Sequence, residues 1–357
     1  MGGAAGGRAV SATGLAPFAA AENRRWVLAR RPRATVDEDC FRLEAAPVPE
    51  PSAGEFTVRV VYLSLAPVMA QYVIDGGVIA DPVALGAVMR GRGVGVVVAS
   101  RHPGWREGDV VHGSFGWQDY AVSDGGGMTF RYRAEAPMSF ALGLLGLTGF
   151  TAYFGLADAG DLRPGDRLLV SGAVGGVGSL VGQLAHAMGA AITVGLCGSD
   201  EKVALATGSL GYDAALNYRR EDLDAALDAA LPEGVDLYFD NVGGTLLERA
   251  IARLRHGGRI ALCGAISQYE QAEKRGPANY FDLVYRNARM QGFHIYAYRD
   301  RYPEAEARMA AWWTEGRLSP LEDRLLGLAQ MPAALRRLYG GANHGKQVVQ
   351  IAEEPPA

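Results

Sequence analysis

The first third of the chain shows the two-residue alternation of apolar and polar side chains that predicts β-strands. The segment EFTVRVVYLSL alternates around Phe56, Val58 and Val60. The segments GVGVVVAS and GDVVHGSFGWQDYAV are short, rich in valine and separated by glycine, proline and aspartate, which are typical of turns. From Arg24 to about Val122, the pattern therefore predicts a compact β-barrel or β-sandwich.

From about Leu162 onward, apolar strands alternate with amphipathic helices. Strands are predicted at RLLVSG, AITVGLC, DAALNY, VDLYFDNVGG, RIALCGA and RMQGFHIYAY, and helices at SLVGQLAHAMG, SDEKVALATGSLG, EDLDAALDAAL and LLERAIARLRHGG. Ser199 or Asp200 is predicted to cap the second helix, and Pro232 to end the third. Because buried strands that alternate with helices form parallel sheets covered on both faces, this region predicts a doubly wound nucleotide-binding domain of the Rossmann type.

The chain after about Tyr302 is predicted to be helical over PEAEARMAAWWTEG and MPAALRRLYGG and to finish with a strand, GKQVVQIAE. This last strand needs a sheet to join, and the N-terminal β region is the predicted partner. The predicted fold class is therefore α/β with a discontinuous first domain. We predict a disordered tail over residues 1–22, a β-rich domain formed by residues 23–143 and 313–357, and a nucleotide-binding domain over residues 144–312.

The composition mainly excludes function classes. The 357-residue chain is 21% charged and 49% hydrophobic, which is a globular balance with length for about two domains. A net charge of -4 gives no electrostatic reason to expect nucleic acid or an anionic membrane surface as a partner. No apolar run approaches the ~18 residues that span a bilayer. Cys40, Cys197 and Cys263 are far apart and odd in number, which argues against a disulfide framework and favours a reducing cytoplasm.

The glycines of VSGAVGGVGSLVGQLAHAMGA lie between a predicted strand and a predicted helix. Gly172, Gly175 and Gly178 are each three residues apart, so the spacing is GxxGxxG rather than GxGxxG. A dinucleotide pyrophosphate needs a sharp turn, a backbone without nearby β-carbons and a helix whose N-terminal N–H groups point at the anion. In a chain with 48 glycines a purely structural turn is the alternative, but the strand–turn–helix context favours cofactor binding.

The end of the second predicted strand indicates which dinucleotide would bind. An NAD site usually places an acidic residue there, where it binds the ribose 2′-hydroxyl. Here the strand ends in Gly198 and Ser199, and Asp200 comes slightly late and could serve only as a helix cap. Lys202 follows in the first helical turn, and Tyr218 ends the next strand. A small strand end beside a cation suits a 2′-phosphate, so NADPH is the predicted cofactor; a solvated surface lysine is the alternative interpretation of Lys202.

Several segments together resemble the zinc-independent medium-chain dehydrogenase/reductases, in the group of leukotriene B4 dehydrogenases, prostaglandin reductases and plant double-bond reductases. The segments are LTGFTAYFGL, VSGAVGGVGSLVGQ, GSDEK, LNY, YFDNVGG, RIALCGAISQY and ANHGKQVVQI, and the resemblance extends from about Glu22 to Ile351. It implies a GroES-like catalytic domain formed by both chain ends, a Rossmann domain between them and NADPH as cofactor. It also implies a homodimer joined through the Rossmann sheets and reduction of a C=C bond conjugated to a carbonyl.

The resemblance implies roles for individual residues. For the cofactor these are Gly175, Gly176, Val177 and Gly178 at the pyrophosphate, Lys202 and Tyr218 at the adenosine phosphate, and Asn241, Cys263, Gly264, Ala265, Ile266, Ser267 and Tyr269 at the nicotinamide half, with Phe293, Ile295, Tyr296 and Asn343 as the remaining contacts. For the substrate they are Tyr62, Val68, Tyr72 and Tyr269.

No metal is predicted. Catalytic zinc needs three protein ligands and an open position. The zinc-dependent relatives place a cysteine after the early barrel strand, where this chain has Ser64, and a Gly-His-Glu element where this chain reads MRGRGVG. The cysteine cluster of their structural zinc is missing from this sequence as well.

Tyr269 is the candidate catalytic residue. Hydride transfer from NADPH to the β-carbon of an enone creates an enolate, whose oxygen needs a hydrogen-bond donor. A phenol can donate while uncharged at pH 7. The alternative is that Tyr269 only packs or positions the cofactor, and that the rate comes from aligning hydride and acceptor.

The chain departs from the family pattern YLSLDPYMR, because it reads YLSLAPVMAQY. Ala66, Val68 and Ala70 replace aspartate, tyrosine and arginine, and Glu270 replaces an asparagine after SQY. Loss of the tyrosine hydroxyl at Val68 is predicted to enlarge the substrate pocket and make it more apolar, which favours a bulky or specialised-metabolism enone. Two alternatives stay open: a carbonyl, quinone or reactive-intermediate reductase that uses the same NADPH site, and a catalytically silent nucleotide-binding protein.

Overall fold

The computed structural model describes residues 19–75, 81–220, 222–271 and 273–355, so most of the predicted tail over 1–22 lies outside the described residues. In chain order the strands are β1 (Asn23–Leu28), β2 (Phe41–Ala46), β3 (Phe56–Ser64), β4 (Gly93–Ser100), β5 (Val110–Gly113), β6 (Tyr120–Ser123), β7 (Phe130–Arg131), β8 (Arg167–Ser171), β9 (Ile192–Cys197), β10 (Ala214–Asn217), β11 (Val235–Asp240), β12 (Leu254–Leu262), β13 (Arg289–Gly292), β14 (Glu322–Leu326) and β15 (Lys346–Gln350). The α-helices are α1 (Ala70–Val73), α2 (Leu147–Phe154), α3 (Gly178–Ala187), α4 (Asp200–Ser209), α5 (Leu223–Ala230), α6 (Thr245–Arg253), α7 (Asp282–Tyr285), α8 (Tyr302–Thr314) and α9 (Met331–Tyr339).

The chain divides into two compact units. The first unit contains the described residues of Met1–Ser139, Arg324–Arg336 and Val348–Ala357, and the second contains those of Phe140–Asp323 and Arg337–Gln347. The boundaries at 143/144 and 312/313, between the β-rich domain and the nucleotide-binding domain, stay a prediction. The compact units divide the chain at 139/140 and 323/324, and again at 336/337 and 347/348.

The first unit is built on a seven-stranded sheet in the order β14-β15-β3-β4-β5-β7, with β6 also paired to β3. Every residue of β3 is buried, because this strand pairs antiparallel with β4, β6 and β15. In the pairing with β15, Val348 lies opposite Ser64. The prediction that the final strand joins the N-terminal sheet is therefore confirmed.

The second unit is a six-stranded sheet in the order β10-β9-β8-β11-β12-β13, and its strands pair in parallel. The chain enters the sheet at β8, proceeds outward through β9 and β10, and then returns to build the other half from β11. The strand order therefore reverses between β8 and β11, and ligands of doubly wound folds bind at the carboxyl ends of the strands beside such a reversal. The predicted α/β fold class is confirmed.

Burial explains why the apolar positions of the second unit predict its strands and helices. On one face of the sheet, strand side chains such as Leu169, Val194 and Ile260 pack against Leu227 of α5 and Ile251 of α6. All five side chains are fully removed from solvent. Burial of a leucine or isoleucine side chain contributes roughly 1.5–3 kcal/mol to stability. A shift of one residue along a strand would turn these side chains to the opposite face, so their burial against the helices fixes the register of each strand.

One predicted strand is much shorter than expected. RMQGFHIYAY forms a strand only over Arg289–Gly292, and Ile295–Arg301 turns into a short helix. Tertiary contacts hold this helix: the hydroxyl of Tyr302 donates to the carbonyl oxygen of Ile295 at 2.9 Å, and the ring of Tyr298 stacks on Phe154 with centroids 4.7 Å apart. These contacts override the local β-propensity of the segment.

A helix that crosses a bilayer needs about 20 consecutive, predominantly apolar residues. Across the described ranges, no helix is both long and apolar enough to cross a membrane.

Candidate functional site

Three glycines shape the turn between β8 and α3, each for a different reason. Gly172 follows β8 with φ at +63°, a conformation that favours glycine. The N–H of Gly175 donates to the carbonyl oxygen of Gly172 at 2.9 Å, which closes the turn. A β-carbon on Gly178 would lie 2.1 Å from that same oxygen. The absence of a side chain therefore lets α3 begin directly against the end of β8.

The first turn of α3 presents backbone donors. The N–H of Ser179 donates to Gly175 at 2.9 Å. In the described part of the chain, the N–H groups of Val177 and Gly178 have no protein acceptor. Such groups at a helix N-terminus form an anion-binding site together with the helix dipole. Gly176 lies beside them, and a β-carbon there would meet Lys346 at 3.4 Å.

A segment near the C-terminus lies against this turn. The N–H of Gly345 donates to the carbonyl oxygen of Val174 at 2.8 Å. Asn343 is buried, and its Nδ2 donates to the carbonyl oxygen of Gly345 at 3.0 Å. The structure therefore brings Asn343 to the glycine turn, although the two are far apart in sequence.

The ends of β9 and β10 carry the predicted adenosine-phosphate contacts. The Tyr218 hydroxyl lies 2.9 Å from where a β-carbon on Gly198 would be, so the strand end must be small. The ammonium group of Lys202 donates to the carbonyl oxygen of Gly341 at 2.8 Å. Burial lowers the pKa of Lys202 from its ordinary value. This is a half-buried lysine with a structured environment, not a freely solvated one.

The structure shows which of the two predicted residues, Ser199 or Asp200, caps α4. The side chain of Ser199 accepts a hydrogen bond from the N–H of Lys202 at 3.3 Å, so Ser199 is the cap. Asp200 instead accepts from Asn217 at 2.8 Å and from Arg220 at 3.3 Å. Its carboxylate is thus held by the end of β10.

A buried carboxylate organises the end of β11. Ser171 links Asp240 to the predicted cofactor contact Asn241: the Ser171 hydroxyl accepts from the Asn241 N–H at 2.9 Å, and its carbonyl accepts from Asn241 Nδ2 at 2.8 Å. Asp240 Oδ1 accepts from the hydroxyls of Ser171 and Tyr238 and from the N–H groups of Val242 and Gly243, all at 2.9–3.0 Å.

Tyr269 folds back over the loop that follows β12. Its hydroxyl accepts from the N–H of Ala265 at 3.3 Å, and it lies 2.9 Å from where a β-carbon on Gly264 would be. Burial raises the pKa of Tyr269, so the phenol is protonated at neutral pH and can donate. Burial also raises the pKa of Cys263 to about 12, so its thiol is not a nucleophile.

The rest of this loop is ordered by contacts to β11, and a cavity adjoins it. Ile266–Gln268 forms one helical turn, and the Ser267 hydroxyl donates to the carbonyl oxygen of Val242 at 2.6 Å. The cavity has a volume of about 350 Å³, and Asp240, Cys263 and Tyr269 contribute to its wall. Tyr269 is therefore placed beside a space large enough for a small ligand.

The residues after β13 form the last part of the site, at the carboxyl ends of the parallel strands. The ring of Phe293 packs edge-on against Phe239 with centroids 6.3 Å apart. The backbone of Ile295 is held by Tyr302, and Tyr296 is 44% exposed. The predicted cofactor residues of the second unit thus lie at the glycine turn, at the ends of β9 to β13, or on the segment that contacts the turn.

The predicted substrate residue Tyr62 lies inside the first unit. It is buried in β3, and its hydroxyl donates to the carboxylate of Glu354. The guanidinium of Arg324 stands over the ring, 5.1 Å from its centroid, and donates to the Tyr62 hydroxyl at 3.3 Å. These contacts give Tyr62 a structural role in this unit, and a substrate role stays a prediction.

Val68 and Tyr72 lie near each other in the first unit. Val68 is half-buried in the turn Pro67–Met69, and Tyr72 follows in α1. The guanidinium of Arg90 stands 4.9 Å from the centroid of the Tyr72 ring. Their contact with substrate stays a prediction as well.

Comparison with known proteins identifies the family. Residues 24–130 match the model for the N-terminal domain of oxidoreductase, and residues 176–311 match the model for zinc-binding dehydrogenase. The putative NADP-dependent oxidoreductase YfmJ of Bacillus subtilis is 39% identical, with 91% of this chain and 97% of that protein aligned. Prostaglandin reductase 1 of Mus musculus is 36% identical, with 92% and 98% aligned. The crystal structure of CurA in complex with NADPH from Vibrio vulnificus has a TM-score of 0.87 at 38% identity, over 93% of this chain and 100% of that one.

This chain belongs to the zinc-independent medium-chain dehydrogenase/reductases. It is an NADP-dependent oxidoreductase of that family. In this member Ser64 lies beside the segment MRGRGVG, since the N–H of Ser64 donates to the carbonyl oxygen of Arg92 at 2.9 Å. Within the residues that the structure describes, no three His, Cys, Asp or Glu side chains come together as a metal site requires.

The geometry of this reductase fits the NADP cofactor of its family. No β-carbon fits at position 178 against the Gly172 carbonyl oxygen, so α3 begins close to the end of β8. Among the described residues, the N–H groups of Val177 and Gly178 have no protein acceptor and are available to a diphosphate. Where an NAD enzyme would carry an acid at the strand end, this chain has Gly198 and Ser199, and Lys202 follows in the first turn of α4. The assignment of each remaining residue to a cofactor contact stays a prediction.

Two features of the site were missed by sequence reasoning. Asp240 was passed over, although an acidic residue that ends a buried strand without a charged neighbour in sequence is itself a signal of an internal hydrogen-bond network. The contact of Lys202 with Gly341 had no signal in the pattern, because it joins residues that only the tertiary fold brings together.

Proposed function

We propose that this chain is an NADPH-dependent reductase that saturates a C=C bond conjugated to a carbonyl, with hydride delivered to the β-carbon. The observation that carries the proposal is the composition of one sheet edge. It combines a glycine turn whose N–H groups at Val177 and Gly178 have no acceptor among the described residues, a lysine near a strand end that carries no acid, and a protonated tyrosine beside a cavity. Relatives named 2-alkenal reductase of Nicotiana tabacum and NADPH-dependent curcumin reductase of Escherichia coli support the reaction class.

The cofactor, when bound, supplies the hydride for the reaction. The chain would hold it through backbone and side chains of the second unit. Val177 and Gly178 would donate their N–H groups to the diphosphate, and Lys202 would pair with the 2′-phosphate. Asn241, whose backbone and side chain Ser171 holds, would contribute to the nicotinamide half of the site.

Tyr269 would act on the carbonyl oxygen of the substrate. Reduction adds a hydride to the β-carbon and a proton to the α-carbon, and negative charge collects on the oxygen between the two steps. The Tyr269 hydroxyl is neutral and half-enclosed, so it can donate to that oxygen without leaving a buried charge behind. The N–H of Ala265, which now donates to the hydroxyl oxygen, helps to orient the phenol.

The substrate is proposed to be bulkier than a simple alkenal. Val68 replaces the tyrosine usual in the family, which removes a hydroxyl and a ring from the predicted pocket. A pocket with less polar lining discriminates in favour of apolar substrates that fill it. A specialised-metabolism enone fits this description.

Product analysis tests the proposal directly. The full-length enzyme is incubated with NADPH and a bulky aryl enone, and the product is identified by mass spectrometry and NMR. A saturated ketone is the expected product. An allylic alcohol or a hydroquinone from a quinone substrate would instead assign the enzyme to carbonyl or quinone reduction. NADPH binding without oxidation across enone, quinone and aldehyde panels would indicate a silent binding protein.

We also propose that the enzyme is a homodimer joined through the β13 edge of its sheet. β13 ends the sheet on that side and is largely exposed, and the adjoining α7 exposes 65% of Val284 and 76% of Tyr285. Light scattering should give the mass of two chains for the wild type and of one for Val284→Asp combined with Tyr285→Asp. A monomeric wild type would contradict this assembly. Because Cys40, Cys197 and Cys263 are free thiols, we propose a reducing cytoplasmic location.

A further inference from the structure

The turn after β10 places an arginine beside the predicted 2′-phosphate contacts. The Oδ1 of Asn217 accepts from the N–H of Arg219 at 3.1 Å, which fixes the turn. The guanidinium carbon of Arg219 lies 5.9 Å from the centroid of the Tyr218 ring. The Tyr218 hydroxyl reaches the end of β9 at Gly198. The guanidinium of Arg219 therefore lies beside the ring of Tyr218, the residue whose hydroxyl marks the end of β9.

The two adjacent arginines of this turn differ in their counter-charges. Arg220 pairs with the carboxylate of Asp200 at 3.3 Å. Of the carboxylates that the structure describes, none lies within ion-pair distance of Arg219. The acid nearest to the strand end is thus engaged by Arg220 and Asn217, and the guanidinium of Arg219 is left for an external anion.

Several cations gather at this point. Lys202 lies close enough to Arg219 and Arg337 that both guanidinium groups, added to burial, lower the pKa of Lys202. Arg337 is paired with Asp323. Lys202 and Arg219 are consequently two nearby cations that repel each other, and a phosphate dianion between them would relieve this repulsion.

We propose that Arg219 is a specificity-determining residue that binds the 2′-phosphate of NADPH together with Lys202. The inference rests on the proposed use of NADPH. A guanidinium presents paired N–H groups that match a phosphate, whereas the ammonium group of Lys202 has already given one N–H to Gly341. NADH and 5′-AMP lack this phosphate, so Arg219 contributes to the binding of the phosphorylated ligands only.

Titration with nucleotide fragments tests the inference without catalysis. 2′,5′-ADP and 5′-AMP are titrated by calorimetry into wild type, Arg219→Met, Arg219→Lys and Arg220→Met. The Arg219→Met affinity for 2′,5′-ADP should fall about tenfold or more, because hydrogen bonds to charged groups contribute at that level, while its affinity for 5′-AMP stays constant. Arg219→Lys should recover part of the loss. Arg220→Met is the comparison variant, since it removes the same charge one residue away. Because it also takes from Asp200 its ion-pair partner, some loss of affinity for 2′,5′-ADP is expected, but a smaller one than for Arg219→Met.

The outcomes separate the inference from the proposed function. Equal weakening by Arg219→Met and Arg220→Met, or no weakening by Arg219→Met, overturns the role of Arg219 while wild-type preference for 2′,5′-ADP leaves NADPH use intact. A wild type that binds 2′,5′-ADP no better than 5′-AMP overturns the cofactor preference itself and the role of Arg219 with it. Thermal unfolding of each variant verifies that the chain is folded.

Discussion

Gly178 lies so close to Gly172 that a β-carbon on Gly178 would stand 2.1 Å from the Gly172 carbonyl oxygen. The same added atom would lie 2.9 Å from the α-carbon of Ala173. Both neighbours are backbone atoms of a turn closed by its own hydrogen bond, so they cannot rotate away as a side chain would. The position of the first turn of α3, and of the N–H groups it presents, depends on this contact.

Gly178→Ala should therefore weaken NADPH binding by at least tenfold and destabilise the fold by about 1–3 kcal/mol, the usual range for overpacking. Fluorescence titration with NADPH and chemical denaturation measure the two effects. Gly208→Ala is the matched control, because Gly208 lies in α4 and a β-carbon added there would have no atom within 4 Å. It should stabilise the protein by roughly 0.5–1 kcal/mol and leave NADPH affinity unchanged. A Gly178→Ala enzyme that binds NADPH like wild type would refute the proposed diphosphate site.

Tyr269→Phe should lower kcat by about a hundredfold, because one hydrogen-bond donor to a developing oxyanion contributes at that level. The affinity for NADPH should change by less than about twofold, since the proposed partner of the hydroxyl is the substrate. Steady-state kinetics and NADPH titration on the same preparation measure both. If NADPH affinity falls and kcat at saturating NADPH does not, Tyr269 positions the cofactor instead.

NADPH affinity should decline with rising pH. The charged form of Lys202 is the form proposed to bind the 2′-phosphate, and burial holds the pKa of Lys202 below its ordinary value of 10.5. Affinity is therefore complete at pH values below that lowered pKa, and it is lost as the pH rises through it. Titrations from about pH 7.5 to pH 10 should show this decline for NADPH but not for NADH. Lys202→Arg should remove the decline, because a guanidinium stays charged throughout. A flat wild-type profile would show that Lys202 does not contact the phosphate.

Asp240 should tolerate asparagine and not alanine. In Asp240→Asn an amide oxygen can accept from the same donors as Oδ1, and the amide group replaces Oδ2, which has no hydrogen-bond partner among the described residues. Asp240→Ala leaves the hydroxyls of Ser171 and Tyr238 and two backbone N–H groups without their acceptor, which should destabilise the protein by about 3 kcal/mol or more. Denaturant unfolding compares the variants. Equal loss in both would mean that the negative charge, not the acceptor geometry, supports the network.

Val68→Tyr should shift substrate preference toward small alkenals. Restoring the ring narrows the proposed pocket, so kcat/KM should rise for a simple alkenal and fall for a bulky aryl enone, with a combined change of about tenfold or more. Val68→Ile serves as a control of similar polarity. If wild type reduces simple alkenals as fast as Val68→Tyr does, the idea of a bulkier substrate is wrong.

The parts of the fold that follow from local rules could be predicted from the sequence. The strand–turn–helix around Gly172 needs a positive φ and a close approach that only glycine allows, so the glycines locate it. The last strand was assigned to the N-terminal sheet because an isolated strand is not stable, and Val348 opposite Ser64 confirms it. The cap of α4 could be narrowed to two residues but not decided, since both side chains favour that position.

The parts that depend on distant contacts could not be predicted. Ile295–Arg301 reads as strand from its own residues and is helical because Tyr302 and Phe154 hold it. The strand Glu322–Leu326 carries too little apolar alternation to be recognised. In the site, the residue types at Lys202 and Tyr218 lead to a prediction of phosphate binding that stays a prediction. The ion pair with Asp200 that distinguishes Arg220 from Arg219 exists only in the folded chain.

The glycine turn and Lys202 are proposed to bind a phosphorylated nicotinamide cofactor together, and calorimetry can test this on the unmodified chain. Wild-type protein is titrated by isothermal calorimetry with NADPH and, separately, with NADH. We expect one site per chain for NADPH, with an affinity at least about tenfold higher than for NADH, in keeping with one extra charge-assisted contact. Absence of NADPH binding, or equal affinity for the two cofactors, would contradict it.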